Sequence, residues 1–304
     1  MKASFFRRYG GPEVFEYGEL PDPAPRAGEV LVEIHAASIN AADWKMRGGH
    51  YGAGVAFPHV PGRDFSGVMV SSGGFFKPGD AVFGVCEVPR EGAYAEKIAI
   101  REAIVARKPQ KLTHVQTAAI ALTGLTALIS IEDTIKLKRG ETILIQGGAG
   151  GVAGFAIALA KHIGARVITT ASAANHGYVR FLGADEVIDY HADDFTKVVK
   201  DVDAVFDTVG GEVTQKSFAV LKPGGRLASV AVGGTAPASP RSDVQSLRPK
   251  VDRDRAHLDR VAKLVSDGVI PMPTITEYPL AKAADAHRVS EARHLRGKLV
   301  LKVR

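Results

Sequence analysis

The sequence predicts an α/β protein of two domains, one mostly β and one built on a doubly wound parallel sheet. Three observations predict it. The stretch ILIQGGAGGVAGFAIALA (Ile143–Ala160) joins a β-branched run to an apolar helical run through a turn crowded with glycine. After it, short apolar runs alternate with helical stretches, which is the rhythm of a parallel sheet. Before it, short strand-like runs are punctuated by Gly and Pro turns. The chain has 304 residues, 45% hydrophobic and 24% charged, enough for about two domains with a sizeable core. Residues 1–112 and 272–304 are assigned to the mostly β domain, and 113–271 to the parallel-sheet domain.

In the first segment, GEVLVEIHAAS, FSGVMVSSG, KPGDAVFGV and AYAEKIAI read as strands, with turns at Gly73-Gly74 and Pro78-Gly79-Asp80. The segment from Thr113, THVQTAAIALTGLTALISIEDT, reads as helix. The Ile143–Ala160 stretch admits three readings. It is barely long enough to span a membrane, and a plain core helix would lose about 1 kcal/mol at each interior glycine. The third reading uses every residue. Glu141–Gln146 is a buried strand, Gly148-Ala149-Gly150-Gly151-Val152-Ala153 is the dinucleotide-binding turn G-x-G-x-x-A, and a helix follows to Gly164. Gly148 then allows the tight turn, Gly150 lets a pyrophosphate approach the backbone, and Ala153 lets helix and strand pack. The helix N-terminus offers free N–H groups to the phosphates.

Further strands follow at Arg166–Thr170, Glu186–Asp189 and Ala204–Asp207, and a fifth comes after a turn at Pro223–Gly225. Helical stretches fall at Asn175–Phe181 and Val213–Leu221. The stretch from Gly233, GGTAPASPRSDVQSLRPK, reads as loop. Helices are expected near His257–Asp267 and Ala281–Ala292. The terminal RGKLVLKV is a strand able to return to the first domain and complete it.

One cysteine, Cys86, excludes an internal disulfide framework and any multi-cysteine zinc module. It reads as a small buried hydrophobe. The N-terminus shows no signal-peptide pattern, and a cytoplasmic location is expected. The net charge of +6 is spread along the chain without a basic block interleaved with aromatics, which argues against a nucleic-acid partner. No nucleophile-elbow motif is present.

The runs SINAADWKMRGG, VPGRDFSG, FKPGD, GAYAE, LTGLTA, GGAGGVAG, LGADEVIDY, FDTVGG, LKPGG and RGKLVLKV appear together and in order. In these the chain resembles the medium-chain dehydrogenase/reductase superfamily, in its zinc-independent quinone oxidoreductase (zeta-crystallin-like) branch. The resemblance implies a GroES-like catalytic domain, a Rossmann NADP(H)-binding domain and an active site in the cleft between them. It also implies a homodimer through the Rossmann edge strand and no membrane association. The zinc ligands of related alcohol dehydrogenases fall on Asn40, Arg63 and near Ala119. An amide, a guanidinium and a methyl are no zinc set, so no metal is expected. Without that Lewis acid, the expected reaction is hydride transfer from NADPH to a quinone or similar conjugated carbonyl. An alkenal or enoyl double-bond reductase is the second reading, and a non-catalytic NADPH-binding protein, with nucleic acid as the partner to test, is the third.

By the resemblance the acceptor sits near Asn40, Lys45 and Tyr51. Asn40 also reaches the nicotinamide ribose, and Lys45, a tyrosine in some relatives, donates to a carbonyl or contacts a phosphate. The implied cofactor residues are Asn40, Thr126, Gly148, Gly150, Gly151, Val152, Ser172, Asn175, Tyr190, Thr208, Val209, Val232, Gly233 and Lys298. The end of the second strand, Thr170-Ala171-Ser172-Ala173, holds no acid for a ribose 2′-OH, which favours NADPH. Ser172, Asn175 and Tyr190 would meet the 2′-phosphate. Related reductases carry a lysine at Asn175, a charge that His176 or Arg180 would have to replace. Four further expectations concern neighbours: Asp43 caps the following turn, Arg63 pairs with Asp64, Tyr94 packs, and Cys86 stays inert.

Overall fold

The central strand of the first unit, Glu29–Ile39, alternates apolar and polar residues and buries Val30, Val32 and Ile34 on one side. A computed structural model describes every residue except Ala53, Val232, Gly233 and His294. Among the described residues the chain divides into two compact units.

The first unit comprises Met1–Thr123, Arg253–Ser266 and Thr274–Arg304. Its larger sheet runs Ile275–Pro279, Lys298–Lys302, Glu29–Ile39, Asp64–Met69, Ala81–Val85 and Val105–Arg107, with Lys97–Arg101 also pairing the long strand. Phe65, Val82, Ile98 and Leu301 share one core with the long strand. The C-terminal strand returns as expected, with Leu299 opposite Ile39 in an antiparallel ladder. Gly297 precedes it at φ 74°. A Cβ there would lie 2.1 Å from Thr274 O, so only glycine fits. Lys2–Phe6 and Phe15–Glu19 form a separate antiparallel pair.

Residues 113–123 and 253–266 group with this first unit, although the sequence reading assigns both to the parallel-sheet domain. The helix Arg255–Ser266 is tied there by Arg255, which donates to Val105 O and Glu102 O, both at 2.9 Å. Its guanidinium also lies 3.9 Å from the Phe75 ring centre.

The second unit comprises Gly124–Asp252 and Asp267–Pro273. Its six-stranded sheet is parallel throughout, ordered Glu186–Ile188, Arg166–Thr170, Thr142–Gln146, Val202–Asp207, Leu221–Ser229, Gln245–Leu247. That order, third-second-first-fourth-fifth-sixth in chain sequence, is the dinucleotide-binding one. The helix Gly151–Ile163 ends at Gly164, left-handed at φ 93°. Two details differ from the sequence reading. The expected helix Val213–Leu221 stops at Ser217 and tightens into a 3₁₀ turn before the strand at Leu221. The stretch read as loop holds the sixth strand, Gln245–Leu247. The helix His114–Leu128 continues as a π-helical segment to Ile135. Among the described residues only 114–135 is long and apolar enough to cross a membrane, and 83% of its apolar window is buried in the fold.

Candidate active site

In the second unit, the site grows from the carboxyl ends of the adjacent strands Thr142–Gln146 and Val202–Asp207. The chain leaves the first of these at Gly147, whose φ is 75°. Gly147 is therefore the residue that makes the tight turn, a role the sequence reading gives to Gly148. Gly148 is glycine for another reason: a Cβ there would lie 2.3 Å from Thr169 Oγ1 on the neighbouring strand. Gly150 is the N-cap of the helix, and a Cβ on it would meet no protein atom closer than Gly147 O at 3.5 Å. The space over Gly150 is thus left to a ligand, beside the unspent N–H groups of the first helical turn at Gly151 and Val152.

Side chains hold this loop in shape. Thr170 Oγ1 accepts the Gly147 N–H (3.0 Å) and donates to Gln146 Oε1 (2.7 Å). Thr208 donates to Gln146 O at 2.8 Å. The buried Asp207 carboxylate accepts the N–H groups of Val209 and Gly210 and the hydroxyls of Thr214 and Ser229. Gly148, Gly150, Gly151, Val152, Thr208 and Val209 therefore meet at one place. Ser172 and Asn175 lie past the next strand, where Asn175 Nδ2 donates to Ser172 Oγ at 3.1 Å. Ile188 pairs with Thr170 in register, so Tyr190 leaves the sheet at the same edge as Ser172. Tyr190 is exposed and stacks on His191 at 4.3 Å between ring centres. Thr126 is buried in its helix, its carbonyl accepting the Ser130 hydroxyl at 2.6 Å. Val232 and Gly233 lie outside the described residues. The open Gly150 fits a nicotinamide dinucleotide.

In the first unit, Asn40 and Lys298 come together although far apart in the chain, because Leu299 pairs with Ile39. Lys298 Nζ donates to Asn40 Oδ1 (2.7 Å) and Ile39 O (2.8 Å). Asn40 Nδ2 donates to Asp64 Oδ1 at 3.2 Å. Asp64 also accepts the Ser38 hydroxyl at 2.8 Å and the Leu122 N–H at 3.1 Å. Burial pushes the Lys298 pKa down and the Asp64 pKa up, and their mutual attraction opposes both shifts. Lys298, assigned to the cofactor by the resemblance, stands here as the anchor of Asn40.

Arg63 and Asp64 do not pair with each other. Successive residues of an extended chain face opposite ways, and Arg63 Nε instead donates to Glu91 Oε1 at 2.6 Å. The Arg63 guanidinium sits 5.1 Å from the ring centre of Tyr51, which is exposed. Lys45 is half-buried with its ammonium 5.7 Å from the Trp44 ring centre. Burial and the cations Arg293 and Arg63 push its pKa down. A cleft of about 300 Å³ opens beside Glu91, His59 and Val55.

Asp43 caps as expected, accepting the Asn40 N–H at 2.8 Å. It also accepts the Tyr94 hydroxyl at 2.9 Å, so the fully buried Tyr94 does more than pack. Tyr94 in turn lies 3.2 Å from His287 Nε2, and His287 Nδ1 lies 2.9 Å from Arg47 Nη1. The direction of donation is fixed. Arg47 can only donate, so Nδ1 accepts and the neutral ring carries its proton on Nε2. Burial and Arg47 push the His287 pKa down to about 3, consistent with that neutral ring. Arg47 also donates to Gly10 O and pairs with Glu291. Asp43 Oδ1 has no partner, and burial first, then Glu91, push its pKa up to about 7. Cys86 is buried and burial pushes its thiol well up, which leaves it inert. No sequence signal finds the Arg47–His287 contact, whose partners are 240 residues apart.

At the three positions that the resemblance sets against zinc ligands, the amide of Asn40 is bonded to Lys298 and Asp64, Arg63 is bonded to Glu91, and Ala119 is a buried methyl. A guanidinium and a methyl offer no lone pair, so this set does not fit zinc. Among the described residues no group of three His, Cys, Asp or Glu is arranged to hold a metal ion.

The chain is similar to known proteins along its whole length. Residues 26–110 match the alcohol dehydrogenase GroES-like domain, and residues 182–301 match a family described as zinc-binding dehydrogenase. The chain is 32% identical to the chloroplastic NADPH-dependent alkenal/one oxidoreductase of Arabidopsis thaliana, over 99% of this chain and 79% of that protein. The quinone oxidoreductase from Coxiella burnetii superposes with TM-score 0.93 at 35% identity, covering 100% of this chain and 99% of that one. Escherichia coli quinone oxidoreductase complexed with NADPH superposes with TM-score 0.91 at 27% identity, covering 100% of both. The chain belongs to the medium-chain dehydrogenase/reductase superfamily, in its zinc-independent quinone oxidoreductase branch.

Proposed function

We propose that the protein is an NADPH-dependent oxidoreductase that reduces quinones or similar conjugated carbonyls without a metal. The observation that carries this reading is the replacement of a zinc set by Asn40, Arg63 and Ala119, with the amide bonded to Lys298 and Asp64 and the guanidinium Nε to Glu91. Such a site has fixed charge and hydrogen-bond donors but no Lewis acid. It suits acceptors whose carbonyl is already activated by conjugation. When bound, NADPH supplies a hydride and becomes NADP⁺, and the acceptor takes its second hydrogen as a proton from solvent.

Gly151 and Val152 hold the pyrophosphate with backbone N–H groups over the open Gly150. Ser172 and Asn175 donate to the 2′-phosphate, with Tyr190 beside it. Asn40, held by Lys298, presents its amide edge at the acceptor side, and Lys45 and Tyr51 line the acceptor. NADPH over NADH rests on the acid-free corner Thr170–Ala173 and on the cofactor named for the relatives above. An enone or alkenal is the second substrate reading, favoured by Lys45 where some quinone reductases carry tyrosine. A cytoplasmic homodimer joined through the edge strand Gln245–Leu247 belongs to the same proposal.

The test is NADPH consumption with 1,4-naphthoquinone, 2-cyclohexen-1-one and a primary alcohol run in reverse with NADP⁺. Turnover of either carbonyl compound and none of the alcohol is expected. Alcohol oxidation faster than either reduction would overturn the reading.

A further inference from the structure

We propose that the Arg63 guanidinium receives the carbonyl oxygen of the acceptor, acting as the fixed cation of the reaction. The inference rests on the reductase reading above and names the residue that makes the acceptor reactive. Arg63 is only 8% exposed; its Nε donates to Glu91 Oε1 at 2.6 Å, and its side chain also hydrogen-bonds Tyr51. Glu91 is itself buried, and its other oxygen lies 3.5 Å from His59 Nε2. A guanidinium kept only as the partner of a carboxylate normally uses the two-point fork. Here only Nε makes the hydrogen bond to Glu91.

The guanidinium also faces the Tyr51 ring, 5.1 Å from its centre. The other carboxyl that acts on Arg63, Asp43, spends Oδ2 on Asn40 and Tyr94. The result is a buried, always-charged donor pair next to an exposed aromatic ring. A flat conjugated carbonyl compound fits both: its plane lies against Tyr51 and its oxygen meets the Nη donors.

The chemistry balances without proton transfer from arginine. Hydride from NADPH bonds to the β-carbon of an enone, the carbon–carbon π pair shifts toward the carbonyl, and negative charge collects on oxygen. NADPH is oxidised to NADP⁺ and the enone is reduced to an enolate, which water protonates. Arg63 stabilises the oxygen charge by hydrogen bonding and keeps its own protons. In a quinone the added charge spreads over the ring and two carbonyls, so it depends less on one donor.

The experiment compares wild type, Arg63→Lys and the double variant Arg63→Met/Glu91→Gln, which leaves no unpaired carboxylate. Turnover of 2-cyclohexen-1-one and 1,4-naphthoquinone is measured, with NADPH affinity from its fluorescence and the fold from thermal melting. The double variant is expected to lose about a hundredfold in kcat for the enone and less for the quinone. NADPH affinity should be unchanged, and Arg63→Lys should recover part of the loss. An equal loss for both acceptors, or no loss, in folded variants that bind NADPH overturns the role of Arg63 and leaves the reductase reading standing. A double variant that fails to fold passes the decision to Arg63→Lys, judged by the same enone-to-quinone ratio. Wild type that reduces neither acceptor overturns the reductase reading and this inference with it.

Discussion

Replacing Asp43 by asparagine should make the protein more stable at alkaline pH, by an amount that follows from its surroundings. Asp43 is fully buried, its Oδ2 accepts two hydrogen bonds, and its Oδ1 accepts none. Burial raises its pKa from 3.8 to about 7. A carboxyl with a raised folded pKa contributes stability that is fully present below its unfolded pKa and is lost as pH rises through the folded one. Between those two values the unfolded chain has released the proton and the folded chain has not, so stability falls by about 1.4 kcal/mol per pH unit. Over the three-unit gap the loss is about 4 kcal/mol. Asparagine keeps the same Oδ acceptor for the Asn40 N–H and Tyr94 hydroxyl and cannot ionise. The stability offset of Asp43→Asn over wild type should therefore grow by about 3 kcal/mol between about pH 5 and about pH 8.5, or about 5 °C in melting temperature for a chain of this length. His287, at about 3, and His114, at about 4, act in the opposite sense, losing stability as pH falls. Both are present in the two proteins, so their contributions cancel in the offset. An offset that stays flat or narrows from pH 5 to 8.5 would refute the burial of an ionisable Asp43 as the source.

The two glycines of the nucleotide turn should separate fold from binding. Gly148→Ala should lower the melting temperature, because its Cβ meets Thr169 Oγ1 at 2.3 Å, whereas Gly150→Val should leave the melting curve in place and weaken NADPH binding at least tenfold. Equal melting losses in both would contradict this division. Ala171→Asp should move cofactor preference toward NADH, since a carboxylate there repels the 2′-phosphate and bonds a ribose 2′-OH, read as the ratio of kcat/KM for the two cofactors. Dialysis against a strong chelator should leave turnover unchanged and metal analysis should find less than one zinc per chain. Loss of activity restored by zinc would refute the assignment of Asn40, Arg63 and Ala119.

What was legible in the sequence depended on how local the signal is. The strands Thr142–Gln146 and Arg166–Thr170 match the expected runs to within one residue, because β-branched segments between glycine turns fix both type and length. Gln245–Leu247 escaped because it is three residues long, pairs on one side only and sits in a proline-rich stretch. The glycine spacing located the turn, but spacing does not tell which glycine has positive φ, so the sequence reading puts the tight turn at Gly148 instead of Gly147. In the first unit Asn40, Lys45 and Tyr51 were found through the resemblance. The contacts that fix the chemistry around them were not, even where the sequence reading names the residue itself, Lys298 or Tyr94. Lys298, Glu91, Tyr94 and His287 reach the cluster through long-range pairing, and a buried polar group carries no periodicity to betray which partner it meets.

That hidden part explains how a site of this lineage stays charged without its metal. Asp64 is buried at the centre of the cluster, and a buried carboxylate demands a compensating cation. Lys298 supplies it because the antiparallel register sets the C-terminal strand beside Ile39, which brings Nζ onto Asn40 and into the field of Asp64. Glu91 makes the same demand a few residues along the fold and is met by Arg63. The two cations differ in what remains free. Lys298 is buried with its ammonium turned onto Ile39 and Asn40, while Arg63 meets Glu91 through one nitrogen and otherwise faces the exposed Tyr51. Electrostatic balance of the fold thus requires both pairs, but only the second leaves donors that an incoming carbonyl oxygen can use.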